Sequence, residues 1–292
     1  MRLLPVLIVG LFLCCMGGCA QDIRFFLRNE TAYSQPVQFN SHISELRSSS
    51  SIANSVFKPA GAGPFPAVVL MHTCGGVSRP HIRERMRELL DAGFVVLALD
   101  NFGPRGVTSC CGDIQKWVGY GTSVMDAYAA LEHLSKLPVV DPSCIYATGY
   151  SSGAVVTIML ASPQSAEVFH SKLRYRALVS NYGACSFQYK PTTSRVEFLQ
   201  NDVDRPILML MASEDKEYKP ADCFPLLDDL KAVGKPVEWH IYPETHHAWD
   251  QRNHTGNYKV TTGWGEVSVY VYSAEATQDS TRRMIEFFNV HR

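Results

Sequence analysis

Three short stretches carry residues that could do chemistry together. The first is Gly149-Tyr150-Ser151-Ser152-Gly153, a G-x-S-x-G match. The second is Glu214-Asp215, and the third is His246-His247. A serine, an acid and a histidine are the parts of a nucleophilic acyl-transfer site. The histidine takes the hydroxyl proton, and the acid fixes the imidazole tautomer and stabilises the imidazolium. The bare G-x-S-x-G pattern turns up by chance in a chain of this length about one time in ten, so the flanking sequence must carry the argument.

That flanking sequence is strand, sharp turn, helix. Residues 145–148 are an apolar run, and residues 154–161 are apolar enough to continue as a buried helix. A serine between them sits in a strained turn with its hydroxyl directed out of the sheet, and both glycines are there because side chains would collide with neighbouring backbone. The helix then starts beneath the nucleophile, where its free N–H groups favour a developing oxyanion. The acid pair follows the apolar run 206–211, and the histidine pair follows the run 237–242. All three stretches thus fall just past the carboxyl ends of predicted strands, where open α/β sheets place their sites.

The elements that must position them alternate along the chain. Further buried strands are expected at residues 67–71, 94–99 and 177–181. Helices are expected at 80–92, 122–136, 220–233 and 277–290. Residues 21–36 are expected to be irregular. Residues 37–43 and 52–58 are expected to form a hairpin at the sheet edge, and 250–275, with Trp264, Tyr270 and Tyr272, an irregular stretch overhanging the site. Continuous apolar strands alternating with helices predict one α/β domain over residues 21–292, with a doubly wound, mostly parallel sheet and helices on both faces.

The chain has 292 residues, 46% hydrophobic and 19% charged, with formal net charge −1. That balance gives no support for nucleic-acid binding or a polybasic membrane patch. No cofactor motif is present, and the histidines lack metal-ligand spacing, so no cofactor and no metal are expected. Residues 1–20 have the form of an export signal: Arg2, then an apolar run, then Gly17-Gly18-Cys19-Ala20. Two processing routes fit. Met16-Gly17-Gly18-Cys19 resembles a bacterial lipobox, which would leave a lipid anchor at Cys19 as the one link to a membrane. Cleavage after Ala20 would instead release the chain. The expected location is periplasmic, secreted or lipid-anchored to the envelope. In such an oxidising compartment Cys185 with Cys223, and Cys74 with Cys110 or Cys111, are the candidate disulfides, and Cys144 the candidate free thiol.

Taken together, these segments resemble the dienelactone hydrolase family of α/β-hydrolases over roughly residues 50–290. The resemblance rests on Pro64-Phe65-Pro66-Ala67-Val68-Val69-Leu70-Met71-His72 with Gly75-Gly76, on Asp100-Asn101-Phe102-Gly103-Pro104-Arg105-Gly106, and on Gly149-Tyr150-Ser151. It is completed by Glu214-Asp215 with Pro220-Ala221 and by Tyr242-Pro243 with His247-Ala248-Trp249-Asp250. It implies the α/β-hydrolase fold and hydrolysis of a small-molecule ester. It selects Asp215 over Glu214, and His247 over His246, as partners of Ser151. It implies oxyanion donors at the backbone N–H of Ser152 and Cys74. It also implies substrate contacts from Tyr150, Trp249 and Arg105, where Arg105 either binds a substrate carboxylate or makes a loop salt bridge. The prototype nucleophile is Cys with an acid where Thr73 stands here, so this chain resembles a Ser-nucleophile variant suited to general esters. A catalytically silent scaffold that binds a ligand or partner, and a peptidase or thioesterase, are the competing readings.

Overall fold

The computed structural model describes residues 22–32, 34–40, 42–188, 195–262 and 265–292. Residues 1–20, expected to form an export signal, with Cys19 among them, and Trp264 lie outside the described residues. In chain order the strands are β1 (Ile43–Ser44), β2 (Val56–Phe57), β3 (Phe65–Met71), β4 (Val95–Leu99), β5 (Val140–Tyr150), β6 (Leu178–Asn181), β7 (Ser186–Phe187), β8 (Val196–Glu197), β9 (Ile207–Ala212), β10 (Val237–Tyr242), β11 (Thr255–Thr261) and β12 (Val267–Val271). The helices are α1 (Ile23–Thr31), α2 (Pro80–Asp91), α3 (Tyr120–Ser135), α4 (Ser152–Met159), α5 (Pro163–Val168), α6 (Phe224–Ala232) and α7 (Ala274–Val290).

Eight of the described strands form one sheet in the order β1-β2-β4-β3-β5-β6-β9-β10. From β4 to β10 every pairing is parallel, and only β2 against β4 is antiparallel. Parallel strands with helices on both faces need apolar side chains on both sides, which is why β4 reads Val-Val-Leu-Ala-Leu and β9 Ile-Leu-Met-Leu-Met-Ala. Alternate residues divide between two core layers. Val69 and Met71 pack with α1, α3, α4 and α6, while Val68 and Leu70 pack with α2 and α7. The carboxyl ends of β5, β9 and β10 lie on one edge of the sheet, and the chain leaves them at Ser151, toward Asp215 and toward His247.

Three expectations need correction. The opening segment is a helix: Asp22 caps it by accepting from the Arg24 N–H at 2.8 Å, and Ile23 and Leu27, one turn apart, bury against the core beside α3. The expected edge hairpin is absent. β1 and β2 are two-residue strands paired parallel, Ile43 with Val56 and Ser44 with Phe57, so the chain between them crosses over instead of turning back as a hairpin. The stretch expected to be irregular instead folds as the antiparallel pair β11–β12, with Thr261 opposite Val267. Two disulfides are present among the described residues, Cys74–Cys111 and Cys185–Cys223. Cys110 is a buried free thiol, and Cys144 is free and half-buried. No described helix is long and apolar enough to cross a membrane.

Candidate active site

The turn between β5 and α4 puts Ser151 at φ 53°, ψ −114°, a region that non-glycine residues rarely occupy. It persists because the chain is pinned on both sides. The Ser151 N–H donates to the Asn181 carbonyl at 3.1 Å, and its own carbonyl accepts from Ala154 and Val155. Two further non-glycine residues with positive φ stand at the same site, Tyr182 (45°) and Ala248 (57°). Such strain concentrates where a side chain must be aimed. The flanking glycines answer to close approach: a Cβ on Gly149 would strike the Gly153 carbonyl, and one on Gly153 would lie 2.5 Å from the Met71 oxygen and 2.6 Å from that of His72. These are backbone atoms of β3 and the loop after it, so they have little freedom to yield. Gly153→Ala is therefore expected to lower stability by about 1–3 kcal/mol, measured by denaturant unfolding.

His247 joins the other two residues. Its Nε2 lies 2.9 Å from Ser151 Oγ, and its Nδ1 lies 2.7 Å from Asp215 Oδ2. Nδ1 donates to the carboxylate, which leaves Nε2 to accept the serine proton. Asp215 is itself held by two backbone donors, Glu217 N–H at 2.8 Å and Tyr218 N–H at 2.9 Å, both to Oδ1. All three side chains are buried. The rings of Tyr182, Tyr218 and Tyr270 stand 4.9, 5.5 and 5.6 Å from the imidazole. Burial disfavours the imidazolium, but the carboxylates of Asp215 and Glu217 and the Nδ1–H bond outweigh it, and the imidazole is pushed up to about 9.

Ser152 opens α4, so its N–H has no helical carbonyl to bond. Among the described residues no protein acceptor takes the Cys74 N–H either, while the Cys74 carbonyl accepts from Cys110 at 2.9 Å. The Cys74–Cys111 bridge ties this loop to the loop after β4. His72 Nδ1 donates to the Thr73 carbonyl at 2.7 Å, and burial holds its pKa low, so the ring is a neutral brace for the same loop. A cavity of about 20 Å³ lies beside Ser152 and Gly153, lined by His72, Asn101 and Phe102 among others. It has room for about one water or methyl group.

The structure puts the three expected substrate contacts elsewhere. Tyr150 points into the core layer under the sheet, against His81 and Tyr182. Trp249 is fully buried between Tyr182 and Tyr242 and donates its indole N–H to Ser280. Arg105 is bound by both terminal nitrogens to the buried carboxylate of Asp126, at 2.7 and 3.2 Å. It is the salt bridge, not a free anion receptor. Glu214 lies near Lys216 on the surface, away from the imidazole. Sequence reasoning missed Glu217, whose Oε2 is 3.9 Å from His247 Nε2; Tyr270, named in the stretch expected to overhang the site, donates to Glu217 from β12. Glu217 stands only two residues beyond Asp215, so its neighbourhood was legible, but its partner was not. Among the described residues no group of three or more His, Cys, Asp or Glu is arranged to hold a metal ion.

The chain is similar to known proteins in sequence and fold. A Methylorubrum extorquens protein described as "Putative carboxymethylenebutenolidase" is 24% identical over 237 residues, covering 79% of this chain and 74% of its own. The crystal structure of a Klebsiella pneumoniae protein described as "Putative Dienelactone Hydrolase" superposes with a TM-score of 0.59 at 20% identity, over 79% of this chain and 89% of that one. A thermophilic esterase of Thermogutta terrifontis, solved with propionate, gives 0.56 at 15%, over 81% and 88%. At these identities the structural likeness establishes the fold, a mostly parallel sheet of the α/β-hydrolase kind. The model of the dienelactone hydrolase family matches residues 52–292, so the chain belongs to that family and is an enzyme that acts on ester bonds.

Proposed function

We propose that the protein is an exported serine hydrolase that cleaves carboxylic esters through an acyl-enzyme. The observation that carries this is the unbroken line Ser151 Oγ, His247, Asp215, at 2.9 and 2.7 Å. Ser151 Oγ attacks the ester carbonyl as its proton passes to His247 Nε2. The oxyanion lies toward the N–H groups of Ser152 and Cys74. The imidazolium, held by Asp215, gives its proton to the departing alkoxide. Water then repeats the sequence on the acyl-enzyme, and the acid leaves with Oγ restored. Export is supported by the signal-like residues 1–20, with either a released chain or a lipid anchor at Cys19, and by two disulfides of a kind that persist outside a reducing cytosol.

The test is labelling of the purified protein with a fluorophosphonate and location of the adduct by peptide mass spectrometry. A Ser151 adduct is the expected result. A folded sample that stays unlabelled would sink the enzymatic reading in favour of a binding scaffold. The raised imidazole makes a second prediction. Protonated His247 has no lone pair for the serine proton, so kcat/KM falls about tenfold per pH unit below the free enzyme's His247 pKa. The rate is expected to climb through neutral pH and level off near pH 9. A limb centred near 6 in a pH series would refute the electrostatic picture of the site.

A further inference from the structure

The reaction needs Asp215, Ser151 and His247, but a second carboxylate also faces the imidazole. Glu217 Oε2 is 3.9 Å from His247 Nε2, the nitrogen that meets Ser151 Oγ at 2.9 Å, so carboxylate and nucleophile lie within about 7 Å of each other. The Tyr270 hydroxyl donates to Glu217 Oε1 and ties the carboxylate to β12. Nε2 is also the atom that hands a proton to the departing alcohol. The alcohol portion of the ester is therefore the part of the substrate that comes nearest to Glu217.

Among the described residues the neighbouring cations do not cancel that charge. Glu217 and Tyr218 line a cavity of about 260 Å³ with Asp222, Lys219 and Arg195. Its two cations are both engaged, Lys219 with Glu266 at 2.8 Å and Arg195 with Glu197 at 2.7 Å. Arg105 is neutralised by Asp126, and Arg252 reaches Glu84 at 3.2 Å. The rings of Tyr218 and Tyr270 stand 5.5 and 5.6 Å from the imidazole that Glu217 faces, and aromatic rings close to a carboxylate favour ammonium groups. Arg79, whose Nε donates to the Gly75 carbonyl at 3.2 Å, is the cation that would favour the opposite charge.

We propose that Glu217 is a specificity-determining residue that makes the leaving-group side of the site select by charge, taking esters of cationic or neutral alcohols and disfavouring esters whose alcohol carries a carboxylate. This rests on the serine hydrolase reading above. A fixed charge within about 7 Å, at the edge of a protein, changes the rate for a singly charged substrate by about tenfold.

The experiment compares kcat/KM for three acetate esters: that of choline, that of its neutral isostere 3,3-dimethylbutanol, and that of 4-hydroxybutanoate. The expected order is choline, then dimethylbutanol, then hydroxybutanoate, about tenfold apart at each step. In Glu217→Gln, with each rate normalised to the neutral ester in the same variant, the spread is expected to shrink to within about threefold. In Glu217→Lys it is expected to invert. A spread unchanged in Glu217→Gln overturns the assignment to Glu217. Should neither variant fold, the wild-type series still decides: an anionic ester turned over as fast as the cationic one refutes the proposal and points to Arg79. Turnover of none of the three, with no fluorophosphonate adduct, removes the hydrolase reading and this inference with it.

Discussion

Replacing Ser151 by alanine is expected to lower ester turnover by at least about a thousandfold and to abolish the fluorophosphonate adduct. The variant loses only Oγ, and among the described residues the one hydrogen-bond partner of that oxygen is His247 Nε2. The neighbouring hydroxyl of Ser152 offers no substitute, since Ser152 is the first residue of α4 and is not bonded to the imidazole. Catalysis that survives must come from water attacking an ester held at the oxyanion donors, which is why the loss is large yet finite. Folding should be nearly unaffected, with unfolding free energy within about 1 kcal/mol of the parent, because the backbone strain at φ 53° is carried by the main chain and not by Oγ. Turnover reduced less than tenfold, in a protein shown to melt like the parent, would mean that another group is the nucleophile.

What was legible in the sequence was the part that local pattern encodes. β3, β4 and β9 are continuous apolar runs, and such runs have one good solution in a sheet covered on both faces. The turn at Ser151 was legible because its glycines are required by backbone contacts close at hand. Neighbourhood in sequence misled where it was taken for neighbourhood in space. Tyr150 precedes Ser151, but strand alternation sends it to the same layer as Tyr146, under the sheet. Trp249 follows His247 by two, yet the positive φ at Ala248 turns the chain inward and buries the indole. Arg105 needed its partner on α3 to be understood, and nothing local announces Asp126. Helix α1 went unread because its burial rests on only two residues, Ile23 and Leu27. The β11–β12 pair went unread because its polar, Gly- and Tyr-rich strands gain their place from the site they cover, through Tyr270 on Glu217 and Lys219 on Glu266.

Asp215→Asn is the second large effect, and it separates orientation from charge. Asp215 uses its two oxygens differently: Oδ1 accepts the N–H groups of Glu217 and Tyr218, and Oδ2 accepts from His247 Nδ1. An asparagine keeps its carbonyl oxygen where the two backbone donors are, because an NH2 group there would face N–H with N–H. That choice turns the NH2 toward Nδ1. The imidazole must then accept at Nδ1 and carry its proton on Nε2, directed at Ser151 Oγ, where a lone pair is needed. The geometry survives, but the base is in the wrong tautomer, and kcat/KM is expected to fall by about ten-thousandfold at neutral pH. Glu217, at 3.9 Å from Nε2, cannot repair this, since it stands on the other nitrogen. Loss of the Asp215 charge also removes a main support of the imidazolium, so His247 should titrate well below its parent value, seen directly by NMR of the imidazole. Glu214→Gln serves as the control with the same change of charge one residue away, and it should leave both the rate and the titration close to the parent. If Asp215→Asn retained more than a tenth of the activity, the carboxylate would be only a structural anchor for the loop that bears Glu217 and Tyr218.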